Sequence, residues 1–213
     1  PTRRSSDLIY FFEGDYKIMD YTLYSLINGL AGKFVALDKT MVFIAQNFQY
    51  LFVIALLLLW FKKDTKEKVI SNRKAAILGV MTMLIALGIN HIIGFIYFRP
   101  RPYTLHAAHL LVNPSIDPSF PSDHATFSLA LALPILFVNK YFGRVMIGIS
   151  LLLCFARVYV GLHYPLDIVG GAIIAYATYK TIQRFPRYFD YITNFAFKIW
   201  EMIVFKIEDL RKK

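Results

Sequence analysis

Three short polar segments interrupt an otherwise apolar sequence, and their residue types suit phosphate chemistry. The first, residues 98–103, reads FRPRPY and holds Arg99 and Arg101, each followed by proline. Proline stiffens the chain and disfavours helix at the preceding residue, so both guanidinium groups should lie on an extended segment. Guanidinium groups stay charged and present a fork of donors that matches phosphate oxygens. The segment is a candidate phosphate clamp; for either arginine alone, a cationic anchor at the membrane edge is the alternative.

The second segment reads Pro-Ser-Asp-His at residues 121–124 and precedes the apolar run ATFSLALALPILF. Ser122 is a favoured N-cap residue, which predicts a helix beginning at Asp123. Free amide groups in the first turn of a helix attract anions, so these amides and the Ser122 hydroxyl are candidate phosphate donors. Taken alone, a capping serine beside an interfacial His124 is the simpler alternative.

The third segment lies between two apolar runs and contains Arg157, His163 and Asp167. A charged group at membrane depth costs about 2.5–3.5 kcal/mol on insertion scales, so such residues usually pair or line a polar cavity. Pro165 suits the first turn of a helix, which places His163 just before that helix and Asp167 in its first turn. Asp167 can then accept a hydrogen bond from one ring nitrogen of His163 and leave the other free to attack. A His–Asp cap without chemistry is the alternative.

The elements that position these segments are predicted to be membrane helices. Of the 213 residues, 57% are hydrophobic and only 18% are charged, unlike the average soluble protein. A helix needs about twenty apolar residues to cross a bilayer core. Five runs reach or approach that length: residues 41–61, 75–97, 124–139, 145–160 and 166–183. We therefore predict an all-α integral membrane helix bundle with five transmembrane helices.

The two ends of the bundle are predicted to be amphipathic. Residues 188–207 are rich in aromatics but are interrupted by Lys198, Glu201 and Lys206, which favours a helix on the membrane surface over a sixth span. Residues 20–37 are interpreted in the same way.

The first eighteen residues differ in character from the rest. They begin with the polar stretch PTRRSSDL, and Met19 follows them as a plausible start. We predict that residues 1–18 are an upstream or non-native extension. Residues 19–213 are predicted to form a single membrane domain, since no repeat or linker divides them.

The charge distribution predicts that the three polar segments face the same side of the membrane. The formal net charge is +10, and basic residues gather in loops 62–74 and 139–144 and after Tyr179. Basic loops remain cytoplasmic, so alternation places residues 98–123 and 161–165 together on the outer side. Basic residues that lie between apolar runs, rather than along one helical face, argue against nucleic acid as a partner.

No metal or cofactor is expected from the residue pattern. Cys154 is the only cysteine and lies inside an apolar run, so the sequence has no disulfide framework and no cysteine-based metal motif. It also shows no carboxylate cluster suited to Mg²⁺.

Together the three segments resemble the signature of the type 2 phosphatidic acid phosphatase superfamily, which runs Lys-x6-Arg-Pro, Pro-Ser-x-His and Ser-Arg-x5-His-x3-Asp. Residues 121–124 fit the second part. Arg157, His163 and Asp167 fit the third, with Ala156 where the family usually has Ser.

The first part of the signature is incomplete, because Arg101 and the following proline are present but Gly94 occupies the Lys position. This gap and the Asp of Pro-Ser-Asp-His resemble the bacterial undecaprenyl-diphosphatases of the bacitracin-resistance type. The resemblance implies a polyprenyl diphosphate substrate, a multi-pass protein of the bacterial plasma membrane and an active site on the outer side. The alternatives are another lipid phosphate, such as phosphatidylglycerol phosphate or phosphatidic acid, and a non-catalytic lipid-binding or transport protein.

The resemblance also implies a role for each site residue, and it requires no metal. His163 would be the nucleophile that forms a phosphohistidine, oriented by Asp167. His124 would protonate the leaving oxygen and then activate water, a proton transfer typically worth about 10²–10⁴ in rate. The charge of Asp123 would oppose phosphate unless it faces a cation such as Arg99. The implied phosphate-binding set is Arg101, Arg157, Ser122, the amides near Asp123, and Arg99 in support.

Overall fold

The computed structural model describes residues 5–211, and within them the side chains of residues 17–203. The regular structure of this part of the chain is helical. In chain order the helices are α1 (Ser5–Asn28), α2 (Val35–Asn47), α3 (Gln49–Phe61), α4 (Lys66–Ile96), α5 (Pro102–Leu105), α6 (Asp123–Val138), α7 (Lys140–Tyr159), α8 (Pro165–Arg184) and α9 (Pro186–Arg211). Residues 1–4 lie outside the described residues, and the assignment of residues 1–18 as an extension stays a prediction.

The five predicted apolar runs correspond to the pair α2 and α3 and to α4, α6, α7 and α8, so the all-α membrane bundle is confirmed. Among the described residues, α4 and α7 are long and apolar enough to cross a bilayer, and α2 with α3 would make a third span. The helix α6 is apolar but has only 16 residues. It packs against α4, α7 and α8, so the neighbouring helices cover it on most sides.

The first predicted run is not one straight helix, because the chain bends by 48° at Phe48, between α2 and α3. Amide side chains flank this bend. Asn47 Nδ2 donates to the Phe43 carbonyl at 2.9 Å, and Gln49 Nε2 donates to the Gln46 carbonyl at 3.2 Å. Side chains that bond to helix carbonyls compete with the backbone ladder, which favours a bend at this point. After the bend, α3 packs against α4 and α6.

The amphipathic segment predicted at residues 20–37 begins inside α1, and the inner face of that helix docks on the protein. Asp20, Tyr24 and Asn28 recur every four residues and are all buried. Asn28 Nδ2 donates to the carbonyls of Tyr159 at 2.8 Å and of His109 at 2.9 Å. These bonds attach the end of α1 to the end of α7, a contact that the sequence did not indicate.

The C-terminal helix α9 is amphipathic, and it is not among the helices of the described part that are apolar enough to span a membrane. Lys74 Nζ lies 2.9 Å from the Asp190 carboxylate. The Arg73 guanidinium lies 5.4 Å from the ring centroids of both Trp60 and Trp200. These contacts hold α9 beside the end of α3 and the start of α4.

The three polar segments meet at one end of the bundle, where α4 and α7 end and α6 and α8 begin. Backbone hydrogen bonds join their loops. The Ser119 N–H donates to the Arg99 carbonyl at 2.8 Å, and the Ser122 N–H donates to the Asp167 carbonyl at 3.0 Å. Residues far apart in sequence therefore form one loop cluster at this end.

Candidate active site

His163 lies in the loop between α7 and α8 and is only 2% exposed. Its Nδ1 atom is 2.9 Å from the Ser119 carbonyl oxygen. A carbonyl can only accept, so Nδ1 carries the proton and Nε2 keeps its lone pair in the neutral ring. Burial lowers the pKa of His163, which favours this neutral form. The ring is therefore held in the tautomer that a nucleophilic Nε2 requires.

The predicted hydrogen bond between His163 and Asp167 is replaced by a longer contact. Nδ1 of His163 is 3.6 Å from Asp167 Oδ2, farther than from the Ser119 carbonyl. Asp167 Oδ2 already accepts the Tyr164 N–H at 2.8 Å and the Ser119 hydroxyl. Asp167 thus contacts the histidine mainly through Ser119. It accepts a hydrogen bond from the Ser119 hydroxyl, and the Ser119 carbonyl accepts one from the His163 ring.

Arg101 lies against the other ring nitrogen, as its predicted role requires. Its Nη1 atom is 3.4 Å from His163 Nε2 and donates to the Leu162 carbonyl at 2.9 Å. Its Nε and Nη2 atoms donate to the backbone carbonyl of Asp117 at 3.1 Å and to the Asp117 carboxylate at 2.9 Å. The structure therefore brings Arg101 and His163 together and adds a carboxylate that the sequence reasoning missed.

Two further donors of the predicted set are buried without a partner in the described part of the chain. They are Nε of Arg157, in the last turn of α7, and Oγ of Ser122. Ser122 is the N-cap residue of α6 as predicted, but its hydroxyl makes no cap hydrogen bond. Buried polar groups are normally paired, so unpartnered donors beside a histidine suit an incoming anion.

His124 lies in the first turn of α6, close enough to the cluster for its charge to be coupled to that of Arg157, His163 and Arg101. Arg157 is in turn coupled to Arg101. Electrostatic interactions thus link two histidines and two arginines, and α6 begins with His124 in its first turn. The three sequence segments therefore contribute residues to one end of the bundle, and the catalytic and phosphate-binding roles of these residues stay a prediction.

The hydrogen-bond partner of Asp123 is the Asn90 amide, whereas Arg99, one of the cations that could have balanced Asp123, pairs with other carboxylates. Asn90 Nδ2 donates to Asp123 Oδ1 at 2.9 Å and to Thr126 Oγ1 at 2.9 Å. Asp123 lies in the first turn of α6, where the helix dipole stabilises a carboxylate. Its charge is therefore accommodated without a direct ion pair to Arg99.

The predicted phosphate-binding role of Arg99 needs correction. Its Nη2 and Nη1 atoms each lie 2.6 Å from a carboxylate oxygen, of Asp20 and of Asp167 respectively. The guanidinium also stacks over the Tyr164 ring, 4.2 Å from its centroid. Because two carboxylates balance its charge, Arg99 supports Asp167 instead of offering a free cation to phosphate.

Sequence reasoning missed three residues of this network: Ser119, Asp117 and Asp20. Ser119 follows a proline, three residues before the Pro-Ser of the second segment, and this repeated Pro-Ser pair was the available signal. Asp117 and Asp20 lie in segments without a matching pattern. Their roles arise only from the folded arrangement of the loops and α1.

Comparisons with known proteins match the part of the chain that contains the candidate active site. The family model described as PAP2 superfamily matches residues 74–190, which contain all three polar segments. The undecaprenyl-diphosphatase BcrC of Bacillus subtilis (strain 168) is 33% identical over 189 residues, covering 89% of this chain and 95% of that protein. The bacitracin transport permease protein BcrC of Bacillus licheniformis is 28% identical, covering 71% of this chain and 72% of that protein.

Among solved structures, Aquifex aeolicus LpxE has the same fold, with a TM-score of 0.63 at 23% identity over 78% of this chain and 95% of that chain. The family model spans more than half of this chain, and the Bacillus subtilis relative is similar along nearly its whole length. The chain therefore belongs to the PAP2 superfamily.

Proposed function

We propose that the protein hydrolyses undecaprenyl diphosphate to undecaprenyl phosphate and inorganic phosphate through a phosphohistidine on His163. The observation that carries this proposal is the buried His163 ring, anchored through Nδ1 and with Nε2 beside Arg101. Membership of the PAP2 superfamily and the name of the Bacillus subtilis relative support the reaction and the substrate.

In the first step, Nε2 of His163 attacks the terminal phosphorus of the lipid diphosphate. A P–N bond forms while the anhydride P–O bond breaks, and His124, which takes up a proton when the anionic diphosphate binds beside it, gives that proton to the leaving oxygen. In the second step, neutral His124 takes a proton from water as the water oxygen attacks phosphorus. The P–N bond then breaks, and inorganic phosphate is released with His163 restored.

The charge of the transferring phosphoryl group accumulates on its equatorial oxygens. Arg101, Arg157, the Ser122 hydroxyl and the backbone amides that follow Ser122 are the donors for those oxygens. Fixed donors in a buried site need little reorganisation during the reaction and act in a low dielectric. The unpartnered Nε of Arg157 and Oγ of Ser122 support this assignment.

The orientation that fits the charge distribution directs the site toward the outer face of the bacterial plasma membrane. The basic stretch at residues 62–74, which comprises the loop after α3 and the first turns of α4, lies at the end of α4 opposite the site segments, and basic residues at a membrane edge favour the cytoplasm. Hydrolysis at the outer face would regenerate the monophosphate carrier and compete with bacitracin for the diphosphate. Raised expression should then increase bacitracin tolerance, and unchanged tolerance would count against this orientation.

The test is phosphate release by the purified full-length chain from undecaprenyl diphosphate, phosphatidylglycerol phosphate and phosphatidic acid. We expect the highest kcat/KM for the diphosphate and loss of turnover in His163→Ala. His109→Ala is the matched control, because His109 lies in the exposed outer loop, and it should keep wild-type turnover. A higher kcat/KM for another lipid would show that undecaprenyl diphosphate is not the preferred substrate. Full activity in His163→Ala would contradict the phosphohistidine mechanism.

A further inference from the structure

We propose that the polyprenyl chain of the substrate binds in an apolar groove between α3, α4 and α6. This inference rests on the proposed function, because it uses His124 as the acid that faces the leaving group. The groove is a cavity of about 380 Å³, within the usual size of ligand sites. Val53 of α3, Leu87 of α4 and Phe127 of α6 form its apolar wall.

The polar end of the groove connects it to the chemistry. His124 and Asp123 line this end together with His91 of α4. His124 follows Ser122 by two residues at the start of α6, and the unpartnered Ser122 hydroxyl belongs to the proposed phosphate site, so His124 lies where that site meets the groove. In a lipid diphosphate the oxygen that His124 would protonate belongs to the phosphate that carries the lipid. The lipid must therefore leave the reaction centre on the His124 side, which is the side of the groove.

The far end of the groove opens toward the bilayer. Val53 is 47% exposed on α3, and Ile54 and Leu57 beside it are also exposed and apolar. In a membrane bundle such side chains contact lipid, so a chain in the groove can enter sideways without crossing water. The bend at Phe48 positions the start of α3, with Tyr50, along this opening.

A partner helix fits the groove less well than a lipid phosphate does. An apolar helix packed here would exclude water from the Asp123 carboxylate and cover the His124 ring, and burying a charge is costly. A single apolar chain that ends in a phosphate meets hydrocarbon along the wall and polar side chains at the end. We therefore assign the groove to the isoprenoid chain next to the diphosphate.

The first test fills the groove with Leu87→Trp and, in a second variant, Val53→Trp. For a long-chain polyprenyl diphosphate kcat/KM should fall by about tenfold or more, because pocket fit at the level of one methylene already changes rates by such factors. Hydrolysis of methyl diphosphate, which has no isoprene unit to place in the groove, should stay within about twofold of wild type. Ile85→Trp is the control: Ile85 is exposed on α4 but does not line the groove, so both rates should persist.

Equal losses with both diphosphates, or no loss with either, would overturn the groove assignment. A loss only with phosphatidylglycerol phosphate would assign the groove to diacyl chains and would also overturn it. Thermal unfolding of each variant shows whether the protein is folded. A wild-type protein that hydrolyses neither diphosphate would contradict the proposed function and not the groove.

The second test measures binding without turnover. A polyprenyl diphosphate with a photoreactive diazirine in its first isoprene unit is added to His163→Ala, and labelled peptides are identified by mass spectrometry. Labels at Val53, Leu87 or Phe127 support the groove even if hydrolysis is absent. Labels confined to helices other than α3, α4 and α6 would exclude it.

Discussion

Replacement of Asp20 by alanine should destabilise the protein strongly, although Asp20 lies in the N-terminal helix and outside the matched family region. Asp20 is fully buried, and its carboxylate accepts hydrogen bonds from Arg99 Nη2 at 2.6 Å and from the Leu166 N–H at 2.9 Å. Alanine would leave one arm of the largely buried Arg99 guanidinium without its partner. Breaking a buried ion pair by removing one partner costs about 3–5 kcal/mol.

The same substitution should slow turnover, because this ion pair is connected to the proposed nucleophile. The other arm of Arg99 donates to Asp167, Asp167 accepts the Ser119 hydroxyl, and the Ser119 carbonyl contacts His163. Loss of the Asp20 carboxylate would remove one hydrogen bond from Arg99 and another from the first turn of α8. We expect kcat to fall while KM changes little, since neither Asp20 nor Arg99 is assigned to substrate binding.

Thermal unfolding of the purified protein in detergent measures the stability effect. A loss of about 3–5 kcal/mol corresponds to a fall in Tm of about 6–20 °C for a chain of this size. Asp190→Ala is the matched control, because Asp190 pairs with Lys74 on the surface, where such a pair contributes about 0–1 kcal/mol. Equal Tm shifts in the two variants, or wild-type kcat in Asp20→Ala, would refute this reasoning.

Three other changes test the site. Asp117→Asn should release Arg101 from its ion pair and strengthen competitive inhibition by inorganic phosphate; an unchanged inhibition constant would show that the pair does not oppose anion binding. Burial lowers the pKa of His163, so the ring stays neutral as the pH falls through about 6.5, the ordinary pKa of a histidine. The fall of kcat/KM on the acid side that reports protonation of His163 should therefore occur below that pH. A fall that occurs above it would contradict the assignment of His163 as the nucleophile. Gly161→Ala should lower Tm and kcat together, because Gly161 has φ of 90° and a Cβ there would lie 3.0 Å from the His109 carbonyl; a wild-type Tm would contradict this.

The helices could be predicted from the sequence because bilayer thickness sets the length of apolar runs. The bend at Phe48 was missed, since it depends on where amide side chains bond and not on proline or glycine. The burial of Asp20 was missed for a related reason. An amphipathic helix has the same residue pattern whether its polar face meets water or a guanidinium.

The end of the bundle at which the candidate site residues lie could be predicted from the sequence, but their hydrogen-bond partners could not. The segments that carry His163, His124, Arg101 and Arg157 lie at the same end of the bundle because they sit at helix ends that an up-and-down bundle brings together. Arg99 and Arg101 are both followed by proline, so local sequence could not tell which one faces the histidine. That choice depends on long-range contacts, such as the pairing of Arg99 with Asp20.

The most direct measurement is to trap the covalent intermediate. The purified chain is mixed with undecaprenyl diphosphate labelled with ³²P in its terminal phosphate, stopped within one turnover under alkaline conditions that preserve phosphohistidine, and digested for mass spectrometry. The phosphoryl group should be found on the peptide that contains His163, and His163→Ala should show neither label nor turnover. A label on another residue, or sustained phosphate release by His163→Ala, would contradict the account.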